Sequence, residues 1–191
     1  LKMTSVLFNY IKERIHISQE DFNRFSSYFK LKEFQRKETI LREGELCSKL
    51  YFVNEGCLRF FHLNDEGKEL TRYFAFEGKF GTNLTSFITN EPSKENIQAI
   101  KKSSVLYITK RDFYHLVATE PSINFIYRDI LEMAYITSTK RIYNFQGEDS
   151  LQRLKWLMKY QPLILSKLSN KMIASYLGVT PYTLSRLKSK L

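Results

Sequence analysis

Cysteine is scarce in this chain: Cys47 and Cys57 are its only two, with no Cys-x-x-Cys and no histidine at ligand spacing. That excludes a four-cysteine zinc or iron–sulfur site within one chain. Two small buried thiols in a reducing compartment are expected instead, with a redox pair as the alternative. Histidine is as thin. His16, His62 and His115 lie 46 and 53 positions apart, so there is no His-x-His or His-x-x-x-His. His62 reads as a half-buried strand residue rather than a metal or haem ligand, and no metal site is expected. No run approaches the roughly 18 apolar residues of a membrane span, and no charged-then-apolar leader precedes a small-residue cleavage site. A soluble, cytoplasmic protein without a membrane partner is expected.

Acidic residues are the last scarcity, and it is local. From Lys140 to the end there are 10 Lys plus Arg against 2 Asp plus Glu; the first 139 residues hold the other 20 and 18. The basic excess lies almost wholly in the terminal region, where a phosphate-binding footprint would need it. What the chain has in quantity is aromatic side chain, 15 Phe and 12 Tyr, within 43% apolar residues. Those aromatics favour a β-rich portion. Its 191 residues suit one large or two small domains.

Along the chain, residues 3–29 read as two amphipathic helices, with Ser18 to Asp21 as a capping box between them. From Leu31 to about Thr109 the period shifts. Runs such as 49–53, 58–63, 70–76 and 105–108 are rich in β-branched and aromatic residues, and glycines at 44, 56, 67 and 78 punctuate them, each preceded by Glu. Such turn signals mark an antiparallel sandwich or barrel. Residues 80–96 interrupt the pattern with small and polar residues, either as a helical turn facing an anion or as a plain surface loop. Pro121 then opens a long helix reaching about Phe145. Ile123, Ile126, Ile130, Met133 and Thr137 keep a 3-4 spacing on it, and Phe125, Leu131, Ala134 and Ile142 form part of a second apolar face. Two apolar faces on one long helix suggest a dimer seam, with an internal core helix as the alternative. Gly147 can act as a hinge, Asp149 or Ser150 can cap a further helix, and Leu163–Leu165 is expected as a short strand.

The last 24 residues carry the most specific pattern. Ser169 can cap one short helix, Gly178 can end it in the left-handed conformation, and Thr180 followed by Pro181 starts another. Small Ala174 lets the two cross closely. Ile173, Leu177, Val179, Leu184, Leu187 and Leu191 supply the apolar side. That leaves Tyr182, Ser185, Arg186 and Ser189 on one outward stripe, with Lys188 and Lys190 beside it. A helix-turn-helix presents such a stripe to the DNA major groove, where Arg can bond guanine bidentately. An ordinary helical hairpin with a solvated face is the alternative.

This order resembles the CRP/FNR family of bacterial transcription regulators. The likeness is strongest over Ile173 to Leu187 and continues in 41–45, around Asn54-Glu-Gly56 and in Asp65-Glu-Gly-Lys68. It implies an α+β fold: an N-terminal antiparallel, jelly-roll-like β-roll sensor domain with flanking helices over 1–120, a long dimerisation helix and hinge over 121–146, and a winged-helix or helix-turn-helix domain over 147–191. It further implies a homodimer seamed by Ile123, Ile126, Ile130, Met133 and Thr137, bound to double-stranded DNA and acting on RNA polymerase. Tyr182, Ser185 and Arg186 would face bases; Thr180, Pro181 and Thr183, with Lys188, Ser189 and Lys190, complete the candidate DNA-contacting set.

In the effector pocket the sequence departs from the cyclic-AMP-binding members. Where they carry Gly-Glu-Leu and then Arg-Ser, this chain reads Thr82-Asn83-Leu84 and Ser93-Lys94. Asn83 lacks the charge that strengthens a bond to a ribose hydroxyl, and Lys94 lacks the bidentate fork. Thr137, Ser138 and Thr139 lie where the family's nucleotide base is met. Orthodox cyclic-AMP binding is therefore not expected, and a small molecule or nucleotide of other identity remains the candidate effector, with no certain cofactor. A cyclic-nucleotide-responsive regulator is the alternative. A cupin-like enzyme is more remote, because such a site needs clustered histidines and a carboxylate. No catalytic residue is assigned.

Overall fold

The computed structural model describes residues 4–191. In chain order the elements are α1 (Ser5–Lys12), α2 (Gln19–Ser26), β1 (Lys30–Phe34), β2 (Thr39–Leu41), β3 (Lys49–Glu55), β4 (Cys57–Leu63), β5 (Glu69–Phe76), β6 (Phe80–Gly81), α3 (Leu84–Thr89), β7 (Asn96–Ala99) and β8 (Ser103–Thr109). These are followed by α4 (Lys110–Thr119), α5 (Pro121–Gly147), α6 (Ser150–Tyr160), α7 (Pro162–Lys167), α8 (Asn170–Leu177) and α9 (Pro181–Lys188). Two compact units result. One holds the residues up to His62 together with Arg72–Asp129, the other Leu63–Thr71 together with Ile130–Leu191.

The first unit is the β-roll. Among the described residues the strands form two four-stranded sheets, ordered β1-β8-β3-β6 and β2-β7-β4-β5. β1–β8, β2–β7, β3–β6, β3–β8 and β4–β7 pair antiparallel, for example Lys49↔Thr109 through Val53↔Val105 between β3 and β8. Between the sheets lies a core that includes Phe34, Leu41, Tyr51, Val53, Leu58, Phe60, Ile97 and Val105. In β7 burial alternates, as expected of a strand with one covered face. In β3, Leu50–Val53 are all buried, because Tyr10 of α1 stacks edge-on against Phe52 and Phe80, with ring centroids 5.7 and 5.3 Å away. Burying each such ring contributes about 1.5–3 kcal/mol. Ser18 caps α2: its hydroxyl accepts from the Asp21 N–H at 3.0 Å and donates to the Asp21 carboxylate at 2.7 Å, the latter in place of the reciprocal main-chain bond of a capping box. Gly56 turns β3 into β4 at φ +110°, where a Cβ would stand 2.7 Å from Ser103 Cα. Both facts require glycine there.

The second unit is helical. Its core is Leu154 and Leu157 of α6, Ile164 of α7, Ile173, Ala174 and Leu177 of α8, and Leu184 of α9, all nearly inaccessible. Leu187 is only half-buried and Leu191 is 54% exposed, so the apolar side of the last helix ends sooner than its spacing suggests. Leu163–Leu165 is helix rather than the expected strand. Pro162, with its fixed φ and no N–H, fits the first helical turn, and a three-residue apolar run does not by itself distinguish the two states.

Candidate functional site

The helix pair at the C-terminus is built by local signals. The Ser169 hydroxyl accepts from Met172 N–H, Gly178 takes φ +69°, and Val179 N–H donates back to Ala174 O at 3.0 Å. Thr180 then caps α9 by accepting from Thr183 N–H at 3.0 Å, with Pro181 in the first turn. With Leu184 sealed in the core, Tyr182, Ser185, Arg186 and Ser189 all face solvent, Tyr182 being 72% exposed. The Arg186 guanidinium lies 5.9 Å from the Tyr182 ring centroid, so the two are neighbours on one surface.

The hydroxyls of this face are internally engaged. Ser185 donates to Pro181 O, Ser189 donates to Arg186 O, and Thr180 and Thr183 share a 2.8 Å bond. Such helix-internal bonds are the ordinary resting state of Ser and Thr. Lys188 reaches across to α8 and donates to Asn170 Oδ1 at 2.7 Å, a partner that spacing alone does not reveal. Lys190 is exposed beyond the end of α9.

Arg141 holds the first of the two helices. It donates to Tyr176 O at 3.2 Å and to Thr71 O at 3.0 Å, and lies 4.3 Å from the Tyr176 ring centroid. Ser175 donates to Glu69 O at 2.6 Å and accepts from Thr71 N–H at 3.0 Å. The 63–71 turn thus lies with these helices in one unit.

On α5 the expected seam divides. Ile123 and Ile126 are 4% and 5% exposed, already buried within their own chain, and Ile130 is half-buried. Met133 and Thr137 are exposed. Phe125, Ile136 and Tyr143 make an outward apolar stripe, between 43% and 67% exposed, about a quarter-turn round the helix from the 3-4 ridge. The ridge read from spacing thus packs inward at Ile123 and Ile126 and faces outward at Met133 and Thr137.

In the β-roll, residues 80–96 form the tip of β6, α3 and the start of β7. Asn83 caps α3, accepting from Ser86 N–H at 2.9 Å, and is 7% exposed. Its amide donates to the Glu95 carboxylate at 2.9 Å. Arg72 of β5 grips the same carboxylate in bidentate fashion, through Nε to Oε1 and through Nη2 to Oε2, the latter at 2.9 Å. Thr82 donates to Lys49 O at 2.9 Å. Ser93 is turned onto Glu95, donating to its carbonyl and accepting from its N–H. Lys94 is exposed and Leu84 half-buried. Thr137 and Ser138 are exposed and Thr139 is half-buried.

Arg72 and Glu95 were not legible as site residues. The available signal was period two: just ahead of β7, Glu95 is buried in phase with Ile97 and Ala99, while Lys94 and Asn96 are the more exposed residues. Among the described residues no group of three or more His, Cys, Asp or Glu could hold a metal ion, and no helix is long and apolar enough to cross a membrane.

A β-roll with a buried polar network is followed along the chain by a long helix and, at its end, by the α8–α9 helix pair. Residues 31–120 match the cyclic nucleotide-binding domain family model, and the fold of the chain is the CRP/FNR fold. FixK2 of Bradyrhizobium japonicum superposes with a TM-score of 0.73 at 17% identity, over 85% of this chain and 84% of that one. The c-di-GMP-responsive regulator CLP of Xanthomonas campestris gives 0.71 at 17%, over 88% and 89%.

Curated relatives match in part. CRP, the cAMP-activated global transcriptional regulator of Salmonella typhimurium, is 24% identical over 99 residues, 52% of this chain. Patatin-like phospholipase domain-containing protein 6 of Pongo abelii is 27% identical over 125 residues, 64% of this chain. Those matches span 47% of CRP and 9% of the phospholipase.

Proposed function

We propose that this chain is a dimeric, sequence-specific DNA-binding transcription regulator of the CRP/FNR type, cytoplasmic and not an enzyme. The observation that carries the reading is the exposed stripe of α9, Tyr182, Ser185 and Arg186, on a helix pair whose surroundings hold most of the net positive charge. Arg186 would bond a guanine edge, Tyr182 and Ser185 would meet bases, and Thr180, Pro181, Thr183, Lys188, Ser189 and Lys190 would border the phosphates. The hydroxyl bonds within α9 are weak enough to be exchanged for phosphate oxygens on contact.

The dimer seam is assigned to α5 from Ile130 onward, through Met133, Ile136 and Thr137, with Gly147 as the hinge between the 121–146 helix and the 147–191 domain. RNA polymerase would be the downstream partner. The β-roll, residues 1–120, would serve as the sensor. Its Thr82, Asn83, Leu84, Ser93 and Lys94, with Thr137, Ser138 and Thr139, are the effector-facing candidates, and they lack the orthodox cyclic-AMP set. Selection of duplexes from a random library tests the function. Enriched sites should be pseudo-palindromic, with half-sites about one helical turn apart; a library recovered without enrichment would overturn the reading.

A further inference from the structure

Glu95 is the one acidic side chain among the buried described residues, and it lies within the segment matched as a cyclic nucleotide-binding domain. Asn83, Ser86 and Ser93, three more of the buried polar side chains, lie in the same short stretch of chain. Of these Asn83 reaches the Glu95 carboxylate, and Arg72 of β5 joins it there. Arg72 supplies two N–H groups and Asn83 a third, and the Glu95 side chain is left 10% exposed against 47% for Arg72. Arg59, the buried cation among the described residues, lies 4.4 Å from the Phe61 ring centroid.

A carboxylate and a phosphate oxygen are interchangeable partners for a guanidinium fork and an amide N–H. An incoming phosphate at these donors would meet a like charge at hydrogen-bond range, on a carboxylate only 10% exposed. Expelling Glu95 instead would break three charge-assisted bonds.

We infer that Glu95 is the specificity-determining residue of the roll: it occupies, as the chain's own anion, the position a phosphate would take. The β-roll is thus closed to cyclic nucleotides and other phosphate anions, and is held together by Arg72 and Asn83 without them. This deepens the sensor reading above and rests on residues 80–96 being the ligand-facing segment. No DNA enters the test, so failure here leaves the DNA-binding reading standing.

The probes are inorganic phosphate and cyclic AMP, titrated calorimetrically at constant ionic strength against the full chain and its Glu95→Gln variant. The parent should bind neither at millimolar concentration. Glu95→Gln removes the charge and keeps the shape, and should gain phosphate affinity by at least about tenfold; adding Arg72→Gln should abolish the gain. Cyclic AMP binding to the variant alongside phosphate would mark a nucleotide site hidden by Glu95, while phosphate alone would mark a bare anion site; both support the inference. A folded Glu95→Gln that gains nothing overturns it. Should that variant fail to fold, Glu95→Ser replaces it. The parent decides independently: protection of amides 82–96 from hydrogen exchange by either probe overturns the inference, and unchanged exchange supports it.

Discussion

Arg141 on the long helix donates to the main-chain oxygen of Tyr176, in the last turn of α8, at 3.2 Å. Carbonyls at a helix C-terminus lack intrahelical partners and carry partial negative charge, so a guanidinium there both satisfies and anchors the end. Arg141→Ala should therefore cost about 1–3 kcal/mol, the range of a charge-assisted bond. Hydrogen exchange of the α8 amides should accelerate while that of β3 and β8 stays unchanged; an unaltered α8 would remove Arg141 from this role.

Arg186→Ala should weaken binding to a selected duplex by about 1–3 kcal/mol and relax preference at one base position, whereas Lys190→Ala should weaken all sequences alike and reduce the salt slope by about 1. Competition titrations with single-base variants separate the two. Equal discrimination by Arg186→Ala and its parent would reassign the base contact.

The two sides of α5 predict opposite outcomes for the same substitution. Ile136→Glu, on the exposed stripe, should leave a folded monomer by sedimentation velocity. Ile126→Glu buries an unpaired charge in the roll's own unit and should unfold it, by several kcal/mol. A dimeric Ile136→Glu protein would move the seam elsewhere.

Burial raises the phenol pKa of Tyr51, and burial followed by the Tyr114 hydrogen bond pushes Tyr127 up to about 12. A raised folded pKa favours the neutral phenol. Its stabilisation is complete below the ordinary value of 10.0 and is lost as pH rises through about 12 for Tyr127. Urea midpoints across that window should fall less steeply for Tyr127→Phe than for the parent.

Legibility followed the strength of local chemistry. Ser18, Thr180, Pro181 and Gly178 act within a turn of chain, and each holds the place its type suggests. β2 and β6, of three and two residues, were not readable, because so short a strand exists only through the partner it pairs with. Spacing on α5 found an apolar ridge but not its direction: the same 3-4 pattern serves a core face and a seam, and only packing separates Ile123 from Phe125. The Glu95–Arg72 pair joins residues 23 apart, with nothing in the sequence beyond strand alternation to bring them together.

Fluorescence anisotropy of a labelled, selected duplex against salt concentration tests the central claim most directly. Two α9 faces neutralising phosphates together should give an affinity that falls linearly in log–log form, with a slope near −0.9 for each phosphate contacted and about two chains per site. A flat salt dependence, or no binding at low ionic strength with any duplex, would contradict the account.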